Sequence, residues 1–261
     1  MLKIDLQGKR ALVTGASSGI GAAVASMLAD AGADIAINYR DDPTAAEALA
    51  GEIRAKGRQA LPVQADISVP AQVDAMFDAL ASAWGGIDIL VNNAGIDGRP
   101  APGWTIGLDD WRQVLEVNLF GTFYCCRQAL ARMVPQKTGV IINISSVHEV
   151  IPWSGFSAYT ASKAAVSMLT KTLAQEAAPY GVRVLAVAPG AIKTPINQNV
   201  WGNAAGLADL ERKIPLGRMG ERAEIARMVA VLASDFASYV TGTTLFVDGG
   251  MTDFADFAHG G

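Results

Sequence analysis

The chain has 261 residues, 51% of them apolar, with 21 Lys and Arg against 25 Asp and Glu for a net charge of −4. A chain this apolar buries enough surface to offset its ordering entropy, which excludes intrinsic disorder. A small excess of acid is the wrong balance for gripping phosphodiester backbones, so nucleic acid is not the expected partner.

Cys125 and Cys126 are sequence neighbours and cannot staple a fold, which fits a reducing compartment. His148 and His259 have no metal-ligand spacing, so no metal is expected. The first residues lack a secretory apolar stretch, and no run reaches the roughly 18 apolar residues of a membrane span. A cytoplasmic protein without membrane partners is the expectation.

Taken in chain order, residues 10–14 read as a buried strand, followed by a Gly/Ser loop and a helical pattern over 20–31. Strand 34–39, helix 44–55 stopped by Gly57, strand 60–64 and helix 70–84 come next. Residues 87–92 read as strand, and 109–134 as one long helix with Asp109 or Asp110 as its N-cap. Strand 139–144, helix 157–178, strand 182–187, helix 221–234 and strand 243–247 complete the series. The strands are apolar at nearly every position, as in parallel sheets covered on both faces. This unbroken alternation predicts an α/β, single-domain doubly wound Rossmann fold. Its parallel sheet has about seven strands, with helices on both faces. Residues 191–214 are the least regular and are expected to form a substrate flap, with 251–261 as a tail.

The loop after the first strand holds Gly15, Ser17, Ser18, Gly19, Ile20 and Gly21, a G-x-x-x-G-x-G spacing. Glycine permits a sharp strand-to-helix turn and a close backbone approach, and the helix N-terminus offers N–H groups to a pyrophosphate. A plain βα turn would carry the same glycines. At the tip of the second strand, where an acid favours NAD and an Arg accommodates the 2′-phosphate of NADP, stands Arg40. Asp41 and Asp42 follow and weaken its pull, so NADP is expected, with NAD possible. Arg40 as a solvated loop cation is the alternative.

Tyr159 and Lys163 form an i, i+4 pair at the start of a helical segment. A phenol with a pKa of about 10 is a poor base at neutral pH. A cation about 4 Å away at an effective dielectric near 20 contributes roughly 4 kcal/mol, enough to bring it near 7. Oxidising an alcohol needs such a base, to take the hydroxyl proton as hydride leaves carbon. Ser145 and Ser146 close strand 139–144, at the carboxyl edge where α/β sheets build their sites. The runs ending at Gly95 and at Pro189–Gly190 reach the same edge.

Residues 14–21 and 92–95, Asn118, Ser146, the Tyr159/Lys163 pair and Pro189–Gly190, in that order, resemble the short-chain dehydrogenase/reductase family over essentially the whole chain. The resemblance implies that Tyr159 is the acid/base and that Ser146, thirteen positions before it, steadies the substrate oxygen. Lys163 lowers the phenol pKa and holds the nicotinamide ribose, and Asn118 organises a water relay to Lys163. It further implies cofactor contacts from Asp66 and Ile67 at the adenine, and from Asn93, Ala94 and Gly95. Pro189, Gly190, Ile192 and Thr194 would lie at the nicotinamide, and the assembly would be a homotetramer. An apolar face on 109–134 agrees with that assembly, although a core face reads the same.

Residues 145–153, 189–197 and 237–252 are similar to bacterial glucose 1-dehydrogenases, which implies oxidation of an aldose at its anomeric hydroxyl to a lactone. Asp97, His148, Glu149 and Asn197 are then candidates for the sugar, since every buried hydroxyl needs a partner. His148 bonded to backbone, Glu149 paired with a surface cation and Trp153 as packing are the alternatives. Asp97 is shorter than the subgroup's Glu, and residues 258–261 differ from a tail that reaches a neighbouring subunit's site. A reductase of ketones or of 3-oxoacyl groups on acyl carrier protein would share every catalytic residue. A non-catalytic nucleotide sensor would not need Ser146, Tyr159, Lys163 and Asn118 together.

Overall fold

The computed structural model describes residues 4–253. Seven strands form one parallel sheet: β1 (Arg10–Val13), β2 (Asp34–Tyr39), β3 (Ala60–Gln64), β4 (Ile89–Asn92), β5 (Gly139–Ile144), β6 (Val182–Pro189) and β7 (Thr244–Val247). Their spatial order is β3-β2-β1-β4-β5-β6-β7. The order reverses between β1 and β4, and such a switch point opens a crevice at the carboxyl ends of the strands.

Alternate residues of each strand feed opposite cores. Val13, Val91, Ile142 and Leu185 pack with α1 (Gly19–Asp30), α2 (Pro43–Ala55) and α9 (Arg222–Ala233) on one face. Leu12, Leu90, Ile141 and Val184 pack on the other with α3 (Pro70–Trp84), α5 (Thr122–Gln136) and α6 (Ser157–Ala177). This period of two, apolar on both sides, is why the strands read as unbroken apolar runs. Local chemistry sets the helix starts. Pro43 and Pro70 occupy first-turn positions, and the Asp42 carboxylate accepts from the Ala45 N–H at 3.0 Å.

The expected long helix is two helices joined by a π turn. α4 (Leu108–Leu115) runs into a wider turn over Glu116–Gly121 before α5 begins. Gly107 is the N-cap, and Asp109 and Asp110 lie inside the first turn, where their charge meets the positive end of the helix. Stretch 191–214 carries two short helices, α7 (Gln198–Trp201) and α8 (Ala204–Glu211). α8 buries none of its residues, so it lacks the apolar period that would announce it. The tail residues 258–261 lie outside the described residues.

Candidate active site

The loop after β1 is wired from below. Thr14 is fully buried, and its hydroxyl accepts from the N–H groups of Asn93 and Ala94 at 3.0 and 3.1 Å. The Asn93 side chain donates to the Thr14 and Gly15 carbonyls. Buried Asn38 accepts from the Gly15 N–H at 3.2 Å and donates to the Ala65 carbonyl at 3.0 Å. Gly15 sits at φ +60°, and a Cβ there would lie 2.9 Å from Ala94 Cα, so only glycine allows this turn. Ser18 caps α1 through its backbone alone, with no side-chain cap bond, while Ser17, Gly19 and Ile20 line the same turn ahead of buried Gly21.

Beyond this loop opens a cleft of about 460 Å³ lined by Arg40, Asp41, Gln64, Asp66, Gln72 and Gln113. Arg40 is not a free cation, since its Nε donates to Asp41 Oδ2 at 2.5 Å. Asp66 Oδ1 accepts from both the N–H and the hydroxyl of Ser68. Ile67 is buried in the core, so any contact it makes with a ligand comes from its main chain.

Ser146, Tyr159, Lys163 and Asn118 converge at the ends of β4 and β5. Tyr159 and Lys163 share one face of α6, with the ammonium 5.6 Å from the ring centroid and the Ser146 hydroxyl near the phenol. Lys163 is buried and donates to the Ile144 carbonyl at 2.9 Å. Asn118 lies in the π turn. Its Oδ1 accepts from the Ile96 N–H at 2.8 Å, and its Nδ2 donates to the Ile96 carbonyl and to Ser162 Oγ. A methyl group on Gly95 would stand 3.2 Å from Asn118 Oδ1 and 3.7 Å from Lys163 Nζ, so glycine is what lets this strand end approach the pair. π turns of this kind mark functional sites, and a single inserted residue leaves no periodic trace in sequence.

The charge balance differs from the sequence expectation. Burial pushes the Tyr159 phenol up to about 12, the neighbouring Ser146 hydroxyl lowers it, and the Asp97 carboxylate raises it further. Desolvation sets the direction of this shift, with the Lys163 ammonium 5.6 Å from the ring centroid and bonded to the Ile144 carbonyl. Burial takes Lys163 down to about 8, while Asp97 and Glu149 hold it up. Asp97 is raised by burial against the pull of Lys163 and His148, which places it within the cluster.

His148 Nδ1 lies 3.0 Å from the Ile151 carbonyl. A carbonyl only accepts, so the proton is on Nδ1 and Nε2 is left as an acceptor. Burial lowers this histidine, keeping it neutral. Its ring stacks on Trp153 at 4.5 Å, Trp153 stacks on Phe156 at 3.8 Å, and both His148 and Trp153 meet Tyr159 edge-on.

Two expected sugar contacts point elsewhere. Glu149 Oε1 accepts from Ser167 Oγ at 2.9 Å, beneath the site. Asn197 spends its side chain on its own loop, donating to the Ile192 carbonyl and accepting from the N–H and hydroxyl of Thr194. Thr194 Oγ1 therefore donates inward and keeps its lone pairs. Ile192 is buried, and Gly190 follows Pro189 with its N–H on the Val247 carbonyl.

Sequence reasoning gave no side-chain role to Thr14, Asn38 or Ser162, whose roles are contacts made across the fold. It also missed the polar layer below Lys163. There Asn92 donates to Asn143, its register partner on β5, and Asn143 donates to Thr170 on α6. Cys125 and Cys126 are fully buried, which pushes both thiols up, Cys126 to about 12. Among the described residues no helix is long and apolar enough to cross a membrane, and no cluster could hold a metal ion.

The family model described as enoyl-(acyl carrier protein) reductase matches residues 15–252. The chain is 49% identical to 3beta-hydroxysteroid dehydrogenase 1 of Eggerthella lenta over 257 residues, covering 98% of both. It is 41% identical to glucose 1-dehydrogenase 2 of Bacillus subtilis over 249 residues, 95% of this chain and 96% of that one. Among solved structures, a gluconate 5-dehydrogenase from Burkholderia cenocepacia J2315 in complex with NADP and tartrate superposes with a TM-score of 0.92. It shares 40% identity and covers 97% of this chain and 98% of its own. The sheet order, the wired glycine loop and the Ser146–Tyr159–Lys163 cluster agree with these matches, and the chain belongs to the short-chain dehydrogenase/reductase family.

Proposed function

We propose that this oxidoreductase oxidises a ring hydroxyl on an apolar alicyclic skeleton, of the 3β-hydroxysteroid class, with NADP as acceptor and NAD as the second choice. The carrying observation is the aromatic wall of His148, Trp153 and Phe156 beside Tyr159. A flat apolar ring system buries well against stacked aromatic faces. A polyol would instead need many polar partners, and two of the four offered by sequence, Glu149 and Asn197, are engaged elsewhere. Asp97 and His148 Nε2 are enough to orient one or two oxygens. The name of the 49% identical relative supports the same class.

The glycine loop and the uncapped start of α1 suit a pyrophosphate, the cleft at Arg40 and Asp66 suits the adenosine end, and Thr194 suits the carboxamide. A bound oxidised nicotinamide supplies the hydride acceptor and a positive charge near the phenol. Ser146 Oγ holds the substrate oxygen, and Tyr159 Oη takes its proton. Lys163 keeps two N–H groups beyond its bond to Ile144 for the ribose, and its charge favours the phenolate. Because burial holds this phenol high, oxidative turnover rises with pH through the alkaline range and reductive turnover falls. Exposed Leu108, Phe120, Phe123 and Met168 on α4, the π turn, α5 and α6 are the surface we assign to a homotetramer in the cytoplasm.

Absorbance at 340 nm tests the assignment, with NADP⁺ and then NAD⁺ against hydroxysteroids, glucose and other aldoses. Reduction with the hydroxysteroid and not with the sugars is the expected result. Reduction with aldoses alone restores the sugar reading. NADPH consumption only with 3-oxoacyl thioesters makes the chain an acyl reductase, the reading favoured by the description of its family model.

A further inference from the structure

Besides Arg40, Asp41 and Asp66, the cleft at the tips of β2 and β3 is lined by Gln64, Gln72 and Gln113, and hydrogen bonds fix which way two of these amides face. Gln64 ends β3 and is the register partner of Tyr39 on β2, so it stands beside the strand tip that carries Arg40. Its Nε2 donates to the Arg40 main-chain carbonyl at 2.9 Å. A carbonyl only accepts, so turning the amide over would set two acceptors against each other. Nε2 therefore stays on Arg40, and Oε1 is left as an acceptor with no donor among the described residues. Gln72, in the first turn of α3, is held the opposite way. Its Oε1 accepts from the Asp66 N–H at 2.7 Å, which leaves its Nε2 as the free end.

NAD and NADP differ at one position that such a cleft can read. A ribose 2′-hydroxyl donates as well as accepts, whereas a 2′-phosphate offers acceptors and negative charge. A carboxylate at the tip of the second strand is the usual acceptor for that hydroxyl. Here the tip is Asn38–Tyr39–Arg40, without an acid. Asn38 is buried and committed to Gly15 and Ala65. The nearby acids have partners of their own. Asp41 is paired with Arg40 and is 71% exposed, Asp42 caps α2, and Asp66 Oδ1 accepts twice from Ser68. Gln64 Oε1 is an uncommitted acceptor beside the same tip, and it carries no charge to repel a phosphate.

We propose that Gln64 is a cofactor-selecting residue: its Oε1 accepts from the adenosine ribose 2′-hydroxyl of NAD, the task of an acid in NAD-binding folds, while its neutrality tolerates the 2′-phosphate of NADP at Arg40. Arg40 and Gln64 then divide the recognition, a cation for the phosphate and an acceptor for the hydroxyl, so that one cleft takes both cofactors. The proposal rests on the assignment of this cleft to the adenosine end of the cofactor.

The test is the dissociation constant of each dinucleotide, read without substrate by quenching of tryptophan fluorescence. The probes are NAD⁺, NADP⁺ and an NAD⁺ analogue with hydrogen in place of the adenosine 2′-hydroxyl. The parent chain should bind NAD⁺ about fivefold more tightly than the deoxy analogue, the worth of one neutral hydrogen bond. In Gln64→Leu that gap should close, with NAD⁺ weakened about fivefold and NADP⁺ nearly unchanged. Gln64→Glu keeps an acceptor and adds a charge, so it should hold NAD⁺ and weaken NADP⁺ about fivefold. A gap that is absent from the parent chain, or that persists in Gln64→Leu, overturns the proposal. So does an equal loss for NAD⁺ and NADP⁺, which would make Gln64 only a tie for the Arg40 main chain. A gap that closes in Asp41→Asn and not in Gln64→Leu gives the role to Asp41. Arg40→Ala tests the underlying assignment separately. If it weakens NADP⁺ while Gln64→Leu changes nothing, the cleft stands and the role of Gln64 falls; if neither variant moves either dinucleotide, the adenosine end lies elsewhere and both fall.

Discussion

At the amino-terminal ends of β1 and β4, Arg10 meets Asp88 in a bidentate pair, with 2.8 Å from Nε and 3.0 Å from the terminal nitrogen. The Arg10 N–H donates to the same carboxylate, and the guanidinium also reaches the Trp84 carbonyl at the end of α3. At the carboxyl-terminal ends of the same sheet, Lys163 is buried with a carbonyl, and half-buried Tyr159 lies near Asp97. One edge matches each charge with its opposite at contact distance. The other holds charges near one another, desolvated and out of contact. The first arrangement stabilises the fold. The second costs stability and leaves groups able to change protonation during a reaction.

Removing the phenol is the harshest test of that contrast. Tyr159→Phe should lower kcat by about 10²- to 10⁴-fold, the usual worth of a positioned acid/base. It should leave the melting temperature nearly unchanged, since Tyr159 is only half-buried and its ring stays in place. Cofactor affinity, measured by fluorescence quenching, should hardly change. A variant that turns over normally would remove Tyr159 from the chemistry.

Breaking the opposite edge should do the reverse. Asp88→Asn leaves Arg10 partly buried without its counter-ion and should cost about 3 kcal/mol, the low end for a broken buried pair. Denaturant unfolding reads this directly, while kcat/KM at saturating stability should stay near that of the parent chain. Burial alone would raise the Asp88 carboxyl, but Arg10 outweighs it and holds the group below the usual range. Its stabilisation is therefore complete above pH about 4 and is lost as pH falls through the lowered value. The parent chain should lose stability in that window, and Asp88→Asn should show a shallower fall. Equal slopes would mean that the pair does not stabilise this edge.

The contrast was half legible in the sequence. Alternating apolar runs exposed the sheet because each strand is buried on both faces, so its pattern needs no partner to be read. The Tyr159/Lys163 spacing exposed the cluster because four residues make one helical turn. What stayed hidden depends on contacts across the chain. The π turn at Asn118 is one extra residue in an otherwise regular helix. Glu149 and Asn197 looked like free polar groups until Ser167 and Thr194 claimed them. The direction of the Tyr159 shift depends on burial, which no spacing reports.

Arg40 and Asp41 form a third kind of charge site, exposed at the rim of the adenosine cleft, and they sharpen the comparison at its weak end. Both side chains are more than half exposed, so their pairing adds little to stability, and Asp41→Asn should leave the melting temperature unchanged. Its effect is on the ligand. A unit charge about 4 Å from another in water is worth about 1 kcal/mol. Removing the Asp41 charge releases the guanidinium and lifts a repulsion from a 2′-phosphate, so the preference for NADP⁺ over NAD⁺ in kcat/KM should rise about fivefold. Arg40→Ala should move the same ratio in the opposite direction. If both variants leave it where it was, the cleft reads the ribose by shape, and Arg40 is only a solvated cation tied to its neighbour.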